Sequence, residues 1–497
     1  MCGFFFAVTP QSLSDGIVKR ATRYIQRRGP DKEHVYRAIT NNDQHLISSH
    51  YLLNVSGQTA LQPILIAGKS DTPRFLILFN GEVYNYKDIS LNTSSDTEAL
   101  AQLIKADGSI PYDKLDGEYA ILVYDFLLNR VTVATDQFMT KPVSVGWSSD
   151  RSIFGVASYP SALEAIGATE LAYSTPNSVL SFQIDTPSQW SLPAGSPSVD
   201  NVTYHYDLDQ RVEHYDSWEA RFLESVSIRA KHGSLPCFVP LSSGYDSGAI
   251  CLALNILGID YHTITIDSAE DQSVLARRLE VNSSAGGSCL EHISLPPLSL
   301  RECEVIRRMI KRDCQPFEFI HSNQTLLDDD GSIGAFRVAE TAKSRGWLVC
   351  LSGCGADEII SDYGFNGIKH YSHSQFGGLF PDSLHGFFPW NKFYEDTMRS
   401  YLFKDELVFG IFGIEGRYPF LDKTLTQEFL ALSSNLKNLE YKAPIAKFLR
   451  KHNYPFENGV KRGFSPYADN PSTNQSKDPR LLRFILAIKS TLNKIRL

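Results

Sequence analysis

One short segment limits what this chain can fold into more than any other. An apolar run at residues 237–239 leads into the turn at 240–248, PLSSGYDSG, and then into the apolar run at 249–254. This order predicts a strand, a turn of small residues and a helix. Such a turn presents backbone N–H groups and a helix amino terminus, which attract phosphate oxygens. Because Asp246 would repel bare phosphate, its place in the turn indicates a bridging Mg²⁺.

The rest of the second half predicts a parallel sheet that binds a ligand. Strand-like runs at residues 261–266 and 347–351 alternate with helical segments, and the second run ends in the turn SGCGADE at 352–358. Alternating strands and helices predict a parallel sheet that binds ligands at the carboxyl ends of its strands. Both turns follow such ends. From about residue 405 onward the chain reads as mainly helical.

The first half has a different pattern. Strand-like runs cover residues 74–79, 119–124 and 130–134, and a capped helix is predicted at 95–104. A segment rich in proline and serine, within 186–203, predicts a linker. We therefore expect an amino-terminal domain over 1–185 and a second domain over 204–497.

Composition excludes several function classes. The 497 residues carry a net charge of −8, which argues against nucleic-acid or anionic-membrane binding. No apolar run is long enough for a transmembrane helix. The eight cysteines form no CxxC pair, so reduced cysteines and a cytoplasmic location are expected.

The amino terminus carries a second candidate site. Removal of Met1 would make Cys2 the first residue, whose α-amine can act as general base for its thiol. Four short segments follow in order: RRGPD at 27–31, QP at 62–63, NGEVYN at 80–85 and SDTE at 95–98. Together with Cys2 they resemble the class II glutamine amidotransferases over about the first 180 residues.

This resemblance implies roles for five residues. Cys2 is the nucleophile that releases ammonia, Asn80 and the N–H of Gly81 form the oxyanion hole, and Asp96 and Glu82 bind the substrate. A plain hairpin turn is the alternative for the Asn-Gly pair.

One position departs from the family. An arginine that binds the α-carboxylate of glutamine is expected near Leu52, and none is close in the sequence. Either His50 or a distant residue replaces it, or glutamine binds weakly, or free ammonia is the donor.

Residues 204–464 resemble the synthetase domain of the asparagine synthetase family. The two turns described above, the segment GIEGRYPFLD at 413–422 and KRGF at 461–464 carry this resemblance. It implies an α+β amino-terminal nucleophile hydrolase domain, an αββα sandwich, followed by an α/β parallel-sheet ATP-pyrophosphatase (HUP-like) domain with a helical carboxyl-terminal part. It is compatible with a homodimer.

The same resemblance assigns the second site. Asp246 and Asp357 hold Mg²⁺, and Lys461 is a catalytic cation that offsets charge on the departing pyrophosphate. ATP and pyrophosphate are bound by Leu241, Ser242, Ser243, Gly244, Asp246, Ser247, Ile266, Ser352 and Gly353. For Ile266 an ordinary strand end is the alternative, and for Glu415 and Arg417 a structural ion pair is as good a reading as a substrate contact.

Cys354 stands where asparagine synthetases carry a glutamate. It either takes over the charge, if its pKa falls, or is a small filler in the acceptor pocket. The predicted function is a glutamine-dependent ligase that uses ATP and Mg²⁺ to amidate a carboxylate, aspartate by default. The alternatives are another carboxylate, such as a sugar acid or peptide, and an amide-forming cyclase of the β-lactam synthetase type.

Overall fold

The computed structural model describes residues 2–55, 60–68, 72–90, 93–192, 202–233, 235–268, 270–284, 286–460 and 466–467. Every helix in these ranges is too short or too polar to cross a lipid bilayer.

The described part of the amino-terminal half contains strands β1 (Gly3–Thr9), β2 (Lys32–Ile39), β3 (His45–Leu52), β4 (Ile64–Ala67), β5 (Pro73–Val83), β6 (Gly117–Asp125), β7 (Arg130–Thr135), β8 (Ser144–Trp147), β9 (Phe154–Ala157), β10 (Glu170–Tyr173) and β11 (Val179–Gln183). Its helices are α1 (Asp15–Ala21), α2 (Ile25–Arg28), α3 (Tyr86–Ile89), α4 (Asp96–Asp107) and α5 (Pro160–Glu164). The strands form two antiparallel sheets, in the orders β10-β8-β9-β1-β3-β2 and β11-β7-β6-β5-β4.

Strand β5 shows how the sequence builds these layers. Its side chains alternate between two faces, as in any strand. Leu76 and Leu78 join the core between the two sheets, whereas Ile77 and Phe79 join the core beneath α4. Helices α1, α2 and α5 cover the other sheet. The result is the predicted αββα sandwich.

The second half contains strands β12 (Cys237–Pro240), β13 (Tyr261–Ile266), β14 (Cys289–Leu295), β15 (Val349–Leu351), β16 (Gly364–Phe365), β17 (Ile368–Lys369) and β18 (Glu415–Arg417). Its helices are α6 (Asp216–Lys231), α7 (Tyr245–Leu257), α8 (Gln272–Ser283), α9 (Leu300–Asp313), α10 (Asp330–Ser344), α11 (Ala356–Ile360), α12 (Asn391–Tyr394), α13 (Thr397–Gly410), α14 (Lys423–Ala431), α15 (Ser434–Lys437) and α16 (Ala443–Lys451). Five strands make a parallel sheet in the order β14-β13-β12-β15-β18, and helices α13 to α16 supply the predicted helical part.

The strand order explains where ligands would bind. Strand β12 lies at the centre, with β13 on one side and β15 on the other. Chain order therefore reverses at β12, which is the point where open parallel sheets form a ligand crevice. The turns after β12 and β15 meet there.

Buried ion pairs join the two halves. Arg229 Nε lies 2.6 Å from Glu118 Oε1, and Glu406 accepts from both Arg28 at 3.0 Å and Lys141 at 3.1 Å. We call this set the charged seam; its members, each at most 4% exposed, are Arg28, Glu118, Lys141, Arg229, Glu406 and Asp422. The domain limits 1–185 and 204–497 stay a prediction, and residues 193–201 of the linker lie outside the described ranges.

Candidate active sites

Cys2 lies immediately before β1, in the first sheet of the sandwich. Its Sγ is 3.8 Å from the carbonyl oxygen of Leu53, and its own carbonyl accepts a hydrogen bond from Arg28 Nε at 2.9 Å. Burial raises the pKa of the thiol to about 11. The thiol is therefore neutral at physiological pH, and it needs a base to become a nucleophile.

Asn80 and Gly81 lie inside β5, paired with Ala120 and Tyr119 of β6, so the hairpin-turn alternative is wrong. The Asn80 side chain is fully buried, and within the described chain neither of its polar atoms has a hydrogen-bond partner. Gly81 has a φ of 129°, and a Cβ there would lie 1.9 Å from the carbonyl oxygen of Glu118. Only glycine fits at this position, and Asn80 keeps a donor available for a ligand.

The predicted substrate carboxylates lie together. Asp96 begins α4, behind its cap Ser95, and accepts from the N–H of Val83 at 3.1 Å. Burial and the neighbouring charge of Glu82 raise the pKa of Asp96 to about 7. Polar atoms of Asp96, Glu82 and His232 lie within 4.8 Å of one another. His232 comes from the second domain, and no sequence pattern pointed to it.

The missing arginine is not replaced by His50. This side chain is 2% exposed, and its Nε2 lies 3.3 Å from the carbonyl oxygen of Phe79. Burial lowers the pKa of His50 to about 3, so the ring is neutral and offers no charge to a carboxylate. The expected arginine position, Leu52, ends β3 as a buried apolar residue.

The nucleotide turn has the predicted strand–turn–helix form. Leu241 is buried and donates its N–H to Ile264 at 2.9 Å, and Gly244 caps α7. The N–H of Ser242 donates to Ser247 Oγ at 3.0 Å, which closes the turn. The N–H and the hydroxyl of Ser243 both donate to Glu270, at 2.6 and 2.5 Å. A carboxylate of the chain thus lies on donors that the resemblance assigns to phosphate.

Asp246 and Asp357 meet at a single cation. Lys442 Nζ lies 2.7 Å from both oxygens of Asp246 and 2.9 Å from Asp357 Oδ1, and its side chain is 1% exposed. Two carboxylates from separate turns therefore converge on one position that binds a cation. This donor set fits Mg²⁺, which prefers carboxylate and phosphate oxygens. Sequence reasoning missed Lys442, which precedes α16 outside any recognised motif.

The second turn packs directly against the first. A Cβ on Gly353 would lie 2.8 Å from the Cβ of Asp246, so glycine permits the close approach. Ser352 Oγ donates to Asp405 at 2.8 Å and accepts from the N–H of Cys354 at 3.2 Å. Burial raises the pKa of Cys354 well above its ordinary value, so the thiol is neutral. This favours the filler interpretation over a charged substitute for glutamate.

Ile266 and Lys461 complete the predicted set. Ile266 is 3% exposed at the end of β13 and belongs to the core of the second domain, beside the nucleotide turn. Lys461, with the rest of the KRGF segment, lies outside the described residues. Its catalytic role stays a prediction.

Glu415 and Arg417 form a buried pair in β18. Arg417 Nε donates to Glu415 at 2.6 Å, and its Nη1 donates to the carbonyl oxygens of Arg229 and His232. These contacts favour the structural reading, because the guanidinium fixes the end of α6.

Comparison with known proteins agrees with both domains. Residues 1–189 match a family described as a glutamine amidotransferase domain, and residues 217–408 match one described as asparagine synthase. The glutamine-hydrolysing asparagine synthetase 1 of Arabidopsis thaliana is 24% identical over 451 residues, which cover 85% of this chain and 68% of that protein. A putative asparagine synthetase of Methanocaldococcus jannaschii is 22% identical over 437 residues, covering 80% of this chain and 71% of the relative.

One solved structure, a glutamine phosphoribosylpyrophosphate amidotransferase from B. subtilis, covers 59% of this chain and 81% of its own, with 15% identity and a TM-score of 0.31. The two matched families occur in one chain and in the order predicted from the motifs, and the curated relatives extend across both. This chain therefore belongs to the asparagine synthetase family, as a protein that joins a glutamine amidotransferase domain to an asparagine synthase domain.

Proposed function

We propose that this chain is a glutamine-dependent, ATP-consuming carbon–nitrogen ligase. Glutamine hydrolysis at Cys2 supplies ammonia. At the second site a carboxylate and ATP form an acyl-AMP ester with release of pyrophosphate, and the ammonia then attacks the acyl carbon and displaces AMP. The observation that carries the proposal is the convergence of Asp246 and Asp357, from two turns at the sheet's reversal point, on one cation-binding position.

The amino-terminal chemistry follows from three features. With Met1 removed, the α-amine of Cys2 takes the thiol proton, and the thiolate attacks the side-chain amide. Negative charge then develops on the amide oxygen, where Asn80 Nδ2 and the Gly81 N–H would donate. Each such donor is typically worth about 2.7–4 kcal/mol of the barrier. Glu82 and Asp96 hold the α-ammonium of the substrate.

At the second site the chain's residues bind and orient the triphosphate. The N–H groups and hydroxyls of the turn from Ser242 to Ser247 bind phosphate oxygens, and Ser352 and Gly353 close the opposite wall. Asp246 and Asp357 would hold Mg²⁺, whose charge offsets that of the departing pyrophosphate. Lys461 would add a second positive charge to the same leaving group.

We propose aspartate as the default acceptor, with another carboxylate, such as a sugar acid or peptide, as the close alternative. The curated relatives are named asparagine synthetases, but their identity to this chain is only 22–24%. The neutral Cys354 in place of a glutamate makes the acceptor the least constrained part of the proposal. The homodimer and the cytoplasmic location stay predictions.

An ATP–pyrophosphate exchange screen across carboxylates tests this proposal. We expect exchange with aspartate, followed by asparagine formation when glutamine or ammonia is added. Asp246→Ala should abolish the exchange. If no carboxylate supports exchange, or if Asp246→Ala leaves it unchanged, the ligase proposal is wrong. Exchange with a different carboxylate would retain the ligase and replace the acceptor.

A further inference from the structure

His232, the residue that follows α6, reaches from the second domain into the substrate pocket of the first. His232 Nε2 lies 2.6 Å from Glu82 Oε2, and its side chain is only 11% exposed. The imidazole packs edge-on against the rings of Tyr84 and Tyr86, with centroid distances of 5.1 and 6.0 Å. It therefore lies in the pocket as a well-contacted group.

The second domain also fixes the backbone that carries this ring. Arg417 Nη1 donates to the carbonyl oxygen of His232 at 2.6 Å, and Arg417 is itself bound to Glu415 in β18. Strand β18 is a member of the nucleotide-binding sheet. The position of the imidazole in the glutamine pocket is thus set by the synthetase domain.

The charges around His232 favour its protonated form. The ionisable groups that face it are Glu82, Asp96, Arg417, Tyr84 and Tyr86. Burial opposes the charge, but the hydrogen bond and the negative charge of Glu82 outweigh burial and raise the pKa of His232. Arg417 opposes this increase, and Asp96 supports it.

We propose that His232 occupies the ammonium-binding position of the glutamine pocket and competes with the substrate's α-ammonium for Glu82 and Asp96. The inference rests on the proposed function, since it takes glutamine as the substrate. Two carboxylates in a nearly dry pocket bind one cation well, but a second adjacent cation adds like-charge repulsion. Glutamine should therefore bind best when His232 is neutral or displaced.

The sign of the pH effect follows from this competition. Below its raised pKa, His232 is protonated and glutamine binding is weakest; as pH rises through that pKa, the competition disappears. Asp96, with a pKa of about 7, becomes charged as the pH rises and acts in the same direction. Removing His232 should therefore reduce the pH dependence without abolishing it. The coupling is reciprocal, so bound glutamine should also favour loss of the His232 proton.

The test uses the full-length chain with Cys2→Ala, so that bound glutamine is not hydrolysed, and measures glutamine binding by calorimetry at about pH 6 and about pH 8. In this background His232→Asn should tighten glutamine binding about tenfold at the lower pH and less than about twofold at the higher. With Cys2 intact, the KM for glutamine should fall in parallel at low pH, and kcat should change little.

A matched control is His214→Asn. His214 is 64% exposed, and its Nδ1 lies 3.7 Å from an exposed Asp216, so this change should leave glutamine binding unaltered. His232→Gln is the second variant, in case the asparagine weakens the end of α6; thermal unfolding of each variant shows whether the fold is intact.

Each outcome separates the inference from the function on which it rests. Unchanged or weaker glutamine binding in folded His232→Asn and His232→Gln at low pH overturns the role of His232, while the binding itself still supports the proposed glutaminase. If the Cys2→Ala chain binds no glutamine at either pH, both fail for the amino-terminal site. The exchange assay then reports on the synthetase site independently.

Discussion

The two candidate sites of this chain differ in what they leave unpaired. In the amino-terminal site Asn80, held in the middle of a strand, keeps both polar atoms of its amide without a partner in the described chain. In the second site, where the chain turns after β12 and β15, the charged groups are matched by opposite charges or donors from elsewhere in the chain. Lys442 binds Asp246 and Asp357, and Glu270 binds Ser243.

Whether a buried polar group has a partner depends on its charge and not on the domain that carries it. An unpaired buried amide costs about 1–3 kcal/mol, which a fold can tolerate, whereas an unpaired buried charge costs considerably more. The substrate carboxylates of the first site follow the same rule, because Glu82 is bound by His232. A neutral group that will bind a ligand can stay unpaired until the ligand arrives. A charged group is instead paired with another side chain of the protein, an internal substitute that the ligand has to displace.

The largest expected effect comes from replacing Cys2, which should remove the activity of the first site and leave that of the second. Cys2→Ala should reduce ammonia release from glutamine by about 10³-fold or more, since the attacking group is lost. Synthesis with added ammonia and ATP–pyrophosphate exchange should remain, and Cys289→Ala, at another partly exposed cysteine, should change neither activity. Equal loss of both activities would contradict two independent sites.

Asn80→Ala tests the unpaired amide. We expect kcat for glutamine hydrolysis to fall about 10²–10³-fold, because one oxyanion donor is removed, with little change in KM. Thermal stability should not fall, since no existing hydrogen bond is broken. The exposed Asn41, which donates to the carbonyl oxygen of Phe126, provides the control Asn41→Ala. A change confined to KM would mean that Asn80 binds ground-state glutamine only.

Lys442→Met tests the internal cation of the second site. Without Nζ, the carboxylates of Asp246 and Asp357 repel each other with no cation between them. The free energy of unfolding should therefore fall by about 3 kcal/mol. Chemical denaturation with and without Mg²⁺ checks this, because the metal should restore part of the loss. Lys447→Met, at an exposed position of helix α16, which begins directly after Lys442, should have no such effect. A loss that Mg²⁺ does not reduce would count against a shared cation position.

Glu270→Gln should have the smallest effect, and in the opposite direction. The amide leaves the donors of Ser243 less strongly occupied, so ATP should bind about threefold to fivefold more tightly. Calorimetric titration with ATP and Mg²⁺ measures this. Glu291→Gln, at a carboxylate paired with the exposed Arg345, is the control. Weaker ATP binding would show that Glu270 assists the nucleotide instead of competing with it.

Local patterns predicted most of the fold but not these internal substitutes. The strand at residues 261–266, the capped helix predicted at 95–104 and the turn before α7 are encoded by neighbouring residues, and the structure confirms all three, with Ser95 as the cap. By contrast, the partners in the ionic subsites are far apart along the chain. His232 is 150 residues from Glu82, and Lys442 is 196 residues from Asp246. Such pairs leave no periodicity or spacing in a single sequence.

The charged seam has a consequence for how this protein can vary. Both cationic partners of Glu406, Arg28 and Lys141, lie in the opposite half of the chain, and Glu118 pairs with Arg229 of the opposite half as well as with Lys141 of its own. A hybrid that combined one half of this chain with the other half of a distant relative would leave Glu406 buried without its cations and would leave Glu118 with Lys141 alone. Substitutions on either side of the seam should therefore be tolerated only together with a matching change opposite. The two halves are expected to be inherited as a pair.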